Sequence, residues 1–188
     1  MSKRLCKIYL SGSIRKGKED SRTDDYFWTE SDVAMVGSTV EFDIEILNPA
    51  MTKIDRNDTR LNFGCDLFLV SISDLILVDL RKKKGIGVGA ELMFADQLKI
   101  PTFGVLGCSS EYQRKALTNL SGQDIRDWTH PFAEGLCDEL FGSIQAASSR
   151  LNEYSKGSGI ANAYRQKSEA AIRYFRDQSA KIVEHYGQ

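Results

Sequence analysis

Residues Leu75-Ile76-Leu77-Val78-Asp79-Leu80 are apolar at every position but one. A strand with one wet face alternates apolar and polar residues. A run without alternation is buried on both faces, the condition of a strand inside a parallel sheet covered by helices. Three more segments read as strands: Leu5–Leu10, Val40–Leu47 (Val40, Phe42, Ile44 and Ile46 share one parity) and Pro101–Leu106. Between them lie helical stretches at Asp24–Val36, ended by Gly37-Ser38, at Cys65–Ile72, and from about Gly89 to Leu98. Lys53–Arg60 reads as loop. This alternation predicts an α/β fold: a Rossmann-like or flavodoxin-like parallel sheet with right-handed crossovers and helices on both faces. Phe132–Leu151 and Ile160–Tyr186 read as helices separated by a hinge at Gly157-Ser158-Gly159. The chain thus divides into an α/β domain over 1–130 and a C-terminal helical extension over 131–188, packed on that domain or on a partner subunit.

Lys and Arg number 25 against 26 Asp and Glu, so a globally basic surface for a nucleic-acid polymer is excluded as the first expectation. No apolar run approaches the roughly 20 residues of a membrane span. Met1-Ser2-Lys3-Arg4 leads straight into a strand without an apolar leader, which is read as no signal peptide. The cysteines at 6, 65, 108 and 137 form no CxxC pair, and His130 and His185 are too few and too distant to complete a zinc set. Buried free thiols and a cytoplasmic location are expected. Neither metal nor cofactor is signalled.

In such sheets ligands bind beyond the carboxyl ends of the strands, near the switch in strand order. That directs attention to Ser11–Arg15, Asn48–Pro49, Asp79–Gly89 and Gly107–Ser110. In Gly85-Ile86-Gly87-Val88-Gly89-Ala90-Glu91-Leu92, alternating glycines let backbone N–H groups approach an anion at a helix start. The spacing Gly85-x-Gly87-x-x-Ala90 also fits a dinucleotide fingerprint, but it does not follow the first strand, and no acidic residue closes the next one. Glu91 has two readings. In the first turn of a helix it stays ionised and could serve as a nucleophile, or it merely stabilises the helix end. Gly12, Ser13 and Arg15 offer a backbone N–H, a hydroxyl and a fork-shaped cation, a phosphate-binding set, although a surface turn has the same composition. Arg81-Lys82-Lys83-Lys84 reads as a solvated charge run from which one lysine could meet phosphate. Trp28 and Trp128 serve the core or stack on a base. His130-Pro131 reads as a turn.

Together, Ile8-Tyr9-Leu10-Ser11-Gly12-Ser13-Ile14-Arg15 with Gly17 and Glu19-Asp20, and Gly87-Val88-Gly89-x-Glu91-Leu92, resemble the 2'-deoxynucleoside 5'-phosphate N-hydrolases of the nucleoside 2-deoxyribosyltransferase superfamily. The resemblance spans roughly residues 5 to 107. It implies that Glu91 is the nucleophile, that Tyr9 orients it, and that Asp66 is the second carboxyl group. It further implies that Ser11, Gly12, Ser13, Ile14, Arg15, Asn48, Gly85, Gly87 and Gly89 contact substrate or its phosphate. Asp74 falls on a recurrent family position, and the apolar strand after it marks it as a cap. A small-molecule nucleoside or nucleotide is the implied partner, without cofactor, and a homodimer or larger homo-oligomer is implied. The chain departs from the hydrolases at Gly85, where they carry a phosphate-holding serine; the transferases' aspartate at the same place is missing too.

The implied chemistry follows from the residues. Cleaving an N-glycosidic bond develops positive charge at C1', which an ionised Glu91 would stabilise and capture. Asp66 would hold a sugar hydroxyl or protonate the leaving base. Two carboxyls about 5 Å apart suit a retaining, two-step route. Water then completes hydrolysis, or a second base completes transfer.

Overall fold

The computed structural model describes residues 5–15, 18–156, 159–179 and 184. Strand β1 (Cys6–Ser11) is followed by a single 3-10 turn at Asp24–Tyr26 and then by α1 (Glu30–Thr39). The helix expected from Asp24 starts late because Thr29 and Asp32 form a reciprocal capping box that fixes its first turn at Glu30. It also runs through Gly37-Ser38 rather than stopping there. Strand β2 is confined to Ile44–Leu47. Next, α2 (Thr59–Ser71) begins six residues before the expected Cys65, since the Asp58 carboxylate accepts the Leu61 N–H and caps it. Strand β3 (Leu75–Asp79) is buried at every position, as its composition requires. Helix α3 (Ile86–Gln97) and β4 (Thr102–Val105) follow.

The segment beyond 106 differs most from expectation. A two-stranded antiparallel hairpin, β5 (Gln113–Leu120) and β6 (Gln123–Thr129), occupies a stretch for which the sequence reading offers no element. Phe132–Leu151 is not a continuous helix. It is α4 (Pro131–Leu136), a three-residue strand β7 (Glu139–Phe141) and α5 (Ile144–Lys156). Thus part of the expected helical extension supplies the fifth strand of the sheet. A 3-10 turn at Ile160–Ala163 and α6 (Lys167–Gln178) complete the described chain. Residues 157 and 158 of the expected hinge, and Ile182 and Tyr186, lie outside the described residues.

The sheet is wholly parallel, in the order β2-β1-β3-β4-β7. Helices cover both faces. Tyr9, Leu47, Ile76, Val78, Leu80, Val88 and Leu92 form the core beneath α2, α3 and α4, while Ile8, Leu10, Leu75, Leu77, Phe103, Ile144 and Leu151 pack beneath α1 and α5. Asp74 accepts the Lys7 N–H at 2.9 Å and its own N–H donates to the Lys7 carbonyl at 2.7 Å, so it registers β3 against β1. Gly104 in β4 is closely packed: a Cβ there would stand 2.6 Å from Leu140 Cδ2 and 2.9 Å from Cys137 Sγ, so those side chains would have to shift. Strand order reverses between β1 and β3, which places the ligand crevice of such a sheet beyond Ser11 and Asp79.

The C-terminal turn and α6 are fastened by buried polar contacts. Lys167 Nζ donates to Asp138 at 2.7 Å, and Tyr164 donates to the Asp96 carboxylate at 3.0 Å. No described helix is long and apolar enough to cross a membrane.

Candidate active site

Side chains alternate along β1, so Tyr9 and Ser11 point to the face covered by α2 and α3. From α3, Glu91 reaches down to meet them: the Ser11 hydroxyl donates to Glu91 Oε2 at 2.6 Å, and both side chains are buried. Tyr9 is fully buried, and its hydroxyl has no hydrogen-bond partner among the described residues. It still lies close enough to Glu91 to favour that carboxylate, while Glu91 and Asp66 add to the burial that drives the Tyr9 phenol upward. Asp66, on α2, completes the group. Its Oδ1 is buried and unpartnered among the described residues, and burial raises its carboxyl, with Arg56 pulling the other way.

Glu91 is not the helix-end carboxylate that the glycine pattern predicts. Helix α3 begins at Ile86, so Glu91 sits five residues past that start and beyond reach of the first-turn dipole. Burial, not the dipole, dominates it: its carboxyl is pushed up to about 7, opposed by the Ser11 and Tyr9 hydroxyls and reinforced by the nearby Asp66. No Lys or Arg ion-pairs with Glu91 among the described residues. A carboxyl raised toward neutrality in this way suits acid–base and nucleophilic work.

Gly12, Ser13, Ile14, Arg15 and Asn48 come together on the opposite side of β1. They line a cavity of about 450 Å³ that also includes Phe27, Trp28 and Pro49. Gly12 is packed tightly against Trp28: a Cβ there would stand 3.0 Å from the indole ring, which would have to give way. The Trp28 indole N–H donates to the Ser11 carbonyl at 2.9 Å, which pins the turn. Arg15 is held by Asp24 at 2.6 Å and stacks 4.3 Å from the centre of Phe27. An anion here would compete with Asp24 for the guanidinium. Ser11 differs from its expected role: its hydroxyl is committed to Glu91 rather than aimed at this cavity.

The three glycines of α3 are not a loop. Gly85 is the residue before the helix, and Gly87 and Gly89 are helical, with open space where a Cβ would stand. Gly85 and Gly89 line a third place, a cavity of about 660 Å³ between α3, α4 and the hairpin, away from Glu91.

No protein-family model matches the sequence, and no curated protein does. Solved structures do resemble it. A conserved protein from Enterococcus faecalis V583 is 18% identical and covers 77% of this chain and 96% of its own, with a TM-score of 0.55. A 2-desoxiribosyltransferase from Leishmania mexicana is 18% identical and covers 79% of this chain and 98% of its own, with a TM-score of 0.51. The chain shares its overall fold with these two structures. At such identity the likeness is one of architecture.

The same end of the sheet carries another buried carboxylate, which the β1 and α3 motifs do not single out. Asp79, at the end of β3, is fully buried and accepts from Lys84 Nζ at 2.8 Å and from Arg81 Nε at 2.9 Å. Arg81 reaches on to Asp32 at 2.9 Å, and Lys84 to the Tyr26 carbonyl at 2.9 Å. The basic run is therefore not a solvated face: Lys84 is buried, Arg81 is mostly so, and Lys82 pairs with Asp25 at 3.2 Å. The spacing Asp79-x-Arg81-x-x-Lys84, directly beyond a buried strand, was the available signal. All four cysteines are free; only Cys137 is buried, and burial pushes its thiol up to about 12. No metal-holding group of three or more His, Cys, Asp or Glu side chains is found among the described residues.

Proposed function

We propose that the chain cleaves the N-glycosidic bond of a (2'-deoxy)nucleoside 5'-monophosphate through a glycosyl-Glu91 intermediate, as a member of the nucleoside 2-deoxyribosyltransferase superfamily. The observation that carries the reading is Glu91 itself: buried, unpaired by any cation among the described residues, pushed up to about 7, and gathered with Tyr9, Ser11 and Asp66 under one helical layer. In the first step the Glu91 carboxylate bonds to C1', and the bond to the base breaks with its electron pair leaving on the base nitrogen. Asp66, whose carboxyl is raised by burial, supplies the proton to that nitrogen. In the second step water attacks C1', the glutamate leaves as carboxylate, and the water's surplus proton returns to Asp66. Free base and sugar phosphate are released. The 450 Å³ cavity with Ser13 and Arg15 supports a phosphate site at the turn after β1.

Base exchange fits the same first step, with a second base replacing water, and the likeness to a 2-desoxiribosyltransferase favours it equally. A nucleotide-binding module without turnover would keep the cavity and lose the chemistry. A homodimer belongs to the same proposal; the exposed Phe63 and Phe68 on α2 support a contact on that layer. The deciding experiment incubates the protein with a panel of nucleoside monophosphates, with and without an added base, and follows free base and new nucleoside by chromatography. Base release is expected, and Glu91→Ala should lower it about 10⁴-fold, on the scale seen when a nucleophile is removed. Normal release by Glu91→Ala would overturn the assignment. Arg15→Ala should harm phosphorylated substrates far more than free nucleosides; equal effects on both would remove the phosphate site.

A further inference from the structure

The geometry points to a second ligand site in the cavity between α3, α4 and the β5–β6 hairpin, shaped for a planar aromatic ring that carries a negatively charged substituent. The inference stands apart from the chemistry assigned to Glu91, whose side chain leaves α3 on another flank toward Ser11. The cavity measures about 660 Å³, inside the range of small-molecule sites. Its floor is aliphatic, with Leu80, Val88, Leu92 and Leu136 buried beneath it.

Four rings form its wall. Tyr112 and Trp128 both meet His130 edge-on, at 5.5 and 5.6 Å between centres, and Phe132 lies 6.1 Å from the same imidazole. Edges and faces arranged at such angles present complementary quadrupoles to a further flat ring. Two donors belong to the wall. His130 Nδ1 accepts the Phe132 N–H at 3.2 Å, so the neutral imidazole carries its proton on Nε2. The Tyr112 oxygen accepts the Lys84 N–H at 2.9 Å, which leaves its own proton to give. The charged lining favours an anion: Lys83 and Arg114 stand against the single carboxylate Glu111, and Lys84 is neutralised by Asp79. The Arg114 guanidinium sits 6.0 Å from the centre of Trp128, so charge and ring surface are presented side by side.

The hairpin gives the site a physical role. A two-stranded ribbon with its side chains largely in solvent is marginal by itself in water. Its strands enter the cavity wall through Arg114 and Trp128, so a ring bound there would fasten the hairpin to α3 and α4.

A simple aromatic acid and a mononucleotide share this chemistry. The test therefore uses benzoate and adenosine 5'-monophosphate, each beside its neutral counterpart, benzyl alcohol or adenosine. Labelling a Trp28→Phe protein with 5-fluorotryptophan leaves one fluorine, at Trp128, whose NMR shift is followed during titration. A saturable shift is expected with at least one anion, at least tenfold tighter than with its neutral counterpart, and the responding anion identifies the source. Arg114→Glu, on an exposed position, should remove that tenfold preference, and Phe132→Ala should weaken binding several-fold with the thermal melt unchanged. No saturable shift with either anion, or equal affinity for charged and neutral forms, would overturn the site. A shift that depends on protein concentration alone would likewise overturn it, by showing that a second copy fills the cavity.

Discussion

Asp79 and Glu91 are two buried carboxylates at the carboxyl ends of neighbouring strands, Asp79 closing β3 and Glu91 held by Ser11 at the end of β1, and their neighbours give them opposite characters. Asp79 is met by a lysine, an arginine side chain and the Arg81 N–H at 3.0 Å. Its charge is neutralised on the spot, and the network ties β3 to α1 through Asp32 and to the chain before α1 through Tyr26 and Phe27. Glu91 receives one hydroxyl at 2.6 Å and no cation among the described residues. At Glu91 no such cation offsets the desolvation. A paired buried charge is a strut; an unpaired one holds its proton more tightly than in water and releases it near neutral pH.

Breaking the strut should give the largest effect on stability. Asp79→Asn keeps size and removes charge, leaving Lys84 buried with no counter-ion. Burial already pulls the Lys84 ammonium downward, and only Asp79 and its hydrogen bond oppose that. Unfolding in denaturant should show a loss of about 3–5 kcal/mol, the usual cost of removing one partner of a buried pair. Adding Lys84→Met should recover much of it. A loss under about 1 kcal/mol in the single variant would mean that the pair is not the strut described.

Glu91 should behave in the opposite sense. Its folded-state carboxyl is pushed up to about 7 from an ordinary value of 4.5, so the native state binds a proton that the unfolded chain has released across that interval. Stability should fall as pH rises from about 4.5 to about 7 and then level off. At 1.36 kcal/mol for each pKa unit the penalty is at most roughly 3 kcal/mol. Glu91→Gln escapes it, so this variant should be more stable than the parent at pH 8 and nearly equal at pH 4. A variant less stable than the parent at pH 8 would show that Glu91 is a structural charge like Asp79.

The contrast between these carboxylates also marks how far the sequence could be read. β1, β3 and β4 were legible because each carries a short apolar run, Ile8–Leu10, Leu75–Val78 and Phe103–Val105, buried inside the sheet. β7 was not: Glu139-Leu140-Phe141 is too short for a period, and its pairing with β4 makes it a strand. The hairpin escaped because a ribbon open to solvent needs no apolar alternation. The start of α3 was misplaced because Gly87 and Gly89 argue against helix, and packing of Val88, Leu92 and Ala95 on the sheet outweighs that preference. The fold's likeness to a 2-desoxiribosyltransferase agrees with what the β1 and α3 motifs implied. Those motifs carry Tyr9 and Glu91, whereas Asp66, on α2, came only from the resemblance built on them. The hydrogen bond from Ser11 to Glu91 joins residues 80 apart in the chain, and no local pattern encodes it. The spacing Asp79-x-Arg81-x-x-Lys84 marks the basic run as a partner for Asp79, but it does not say that Lys84 rather than Lys83 turns inward.

The smallest effect tests what separates Glu91 from a merely buried acid. The Ser11 hydroxyl opposes the effect of burial only through its hydrogen bond, so removing it should leave Glu91 buried and raise it further. A hydrogen bond to a charged group is worth about 1.5–3 kcal/mol, or roughly one to two pKa units. In the proposed mechanism Glu91 must be ionised, so kcat/KM should rise with pH through a limb near 7. Ser11→Ala should move that limb toward higher pH by about one unit and leave the rate on the alkaline plateau within about tenfold. Ser11→Cys, of similar size and a weaker donor, should fall between the two. The stability profile should move with it, the levelling point near pH 7 shifting upward by the same amount whether or not the substrate has been correctly chosen. A limb and a levelling point that both stay in place in Ser11→Ala would show that Glu91 owes nothing to this hydroxyl, and that the serine is a packing residue of β1.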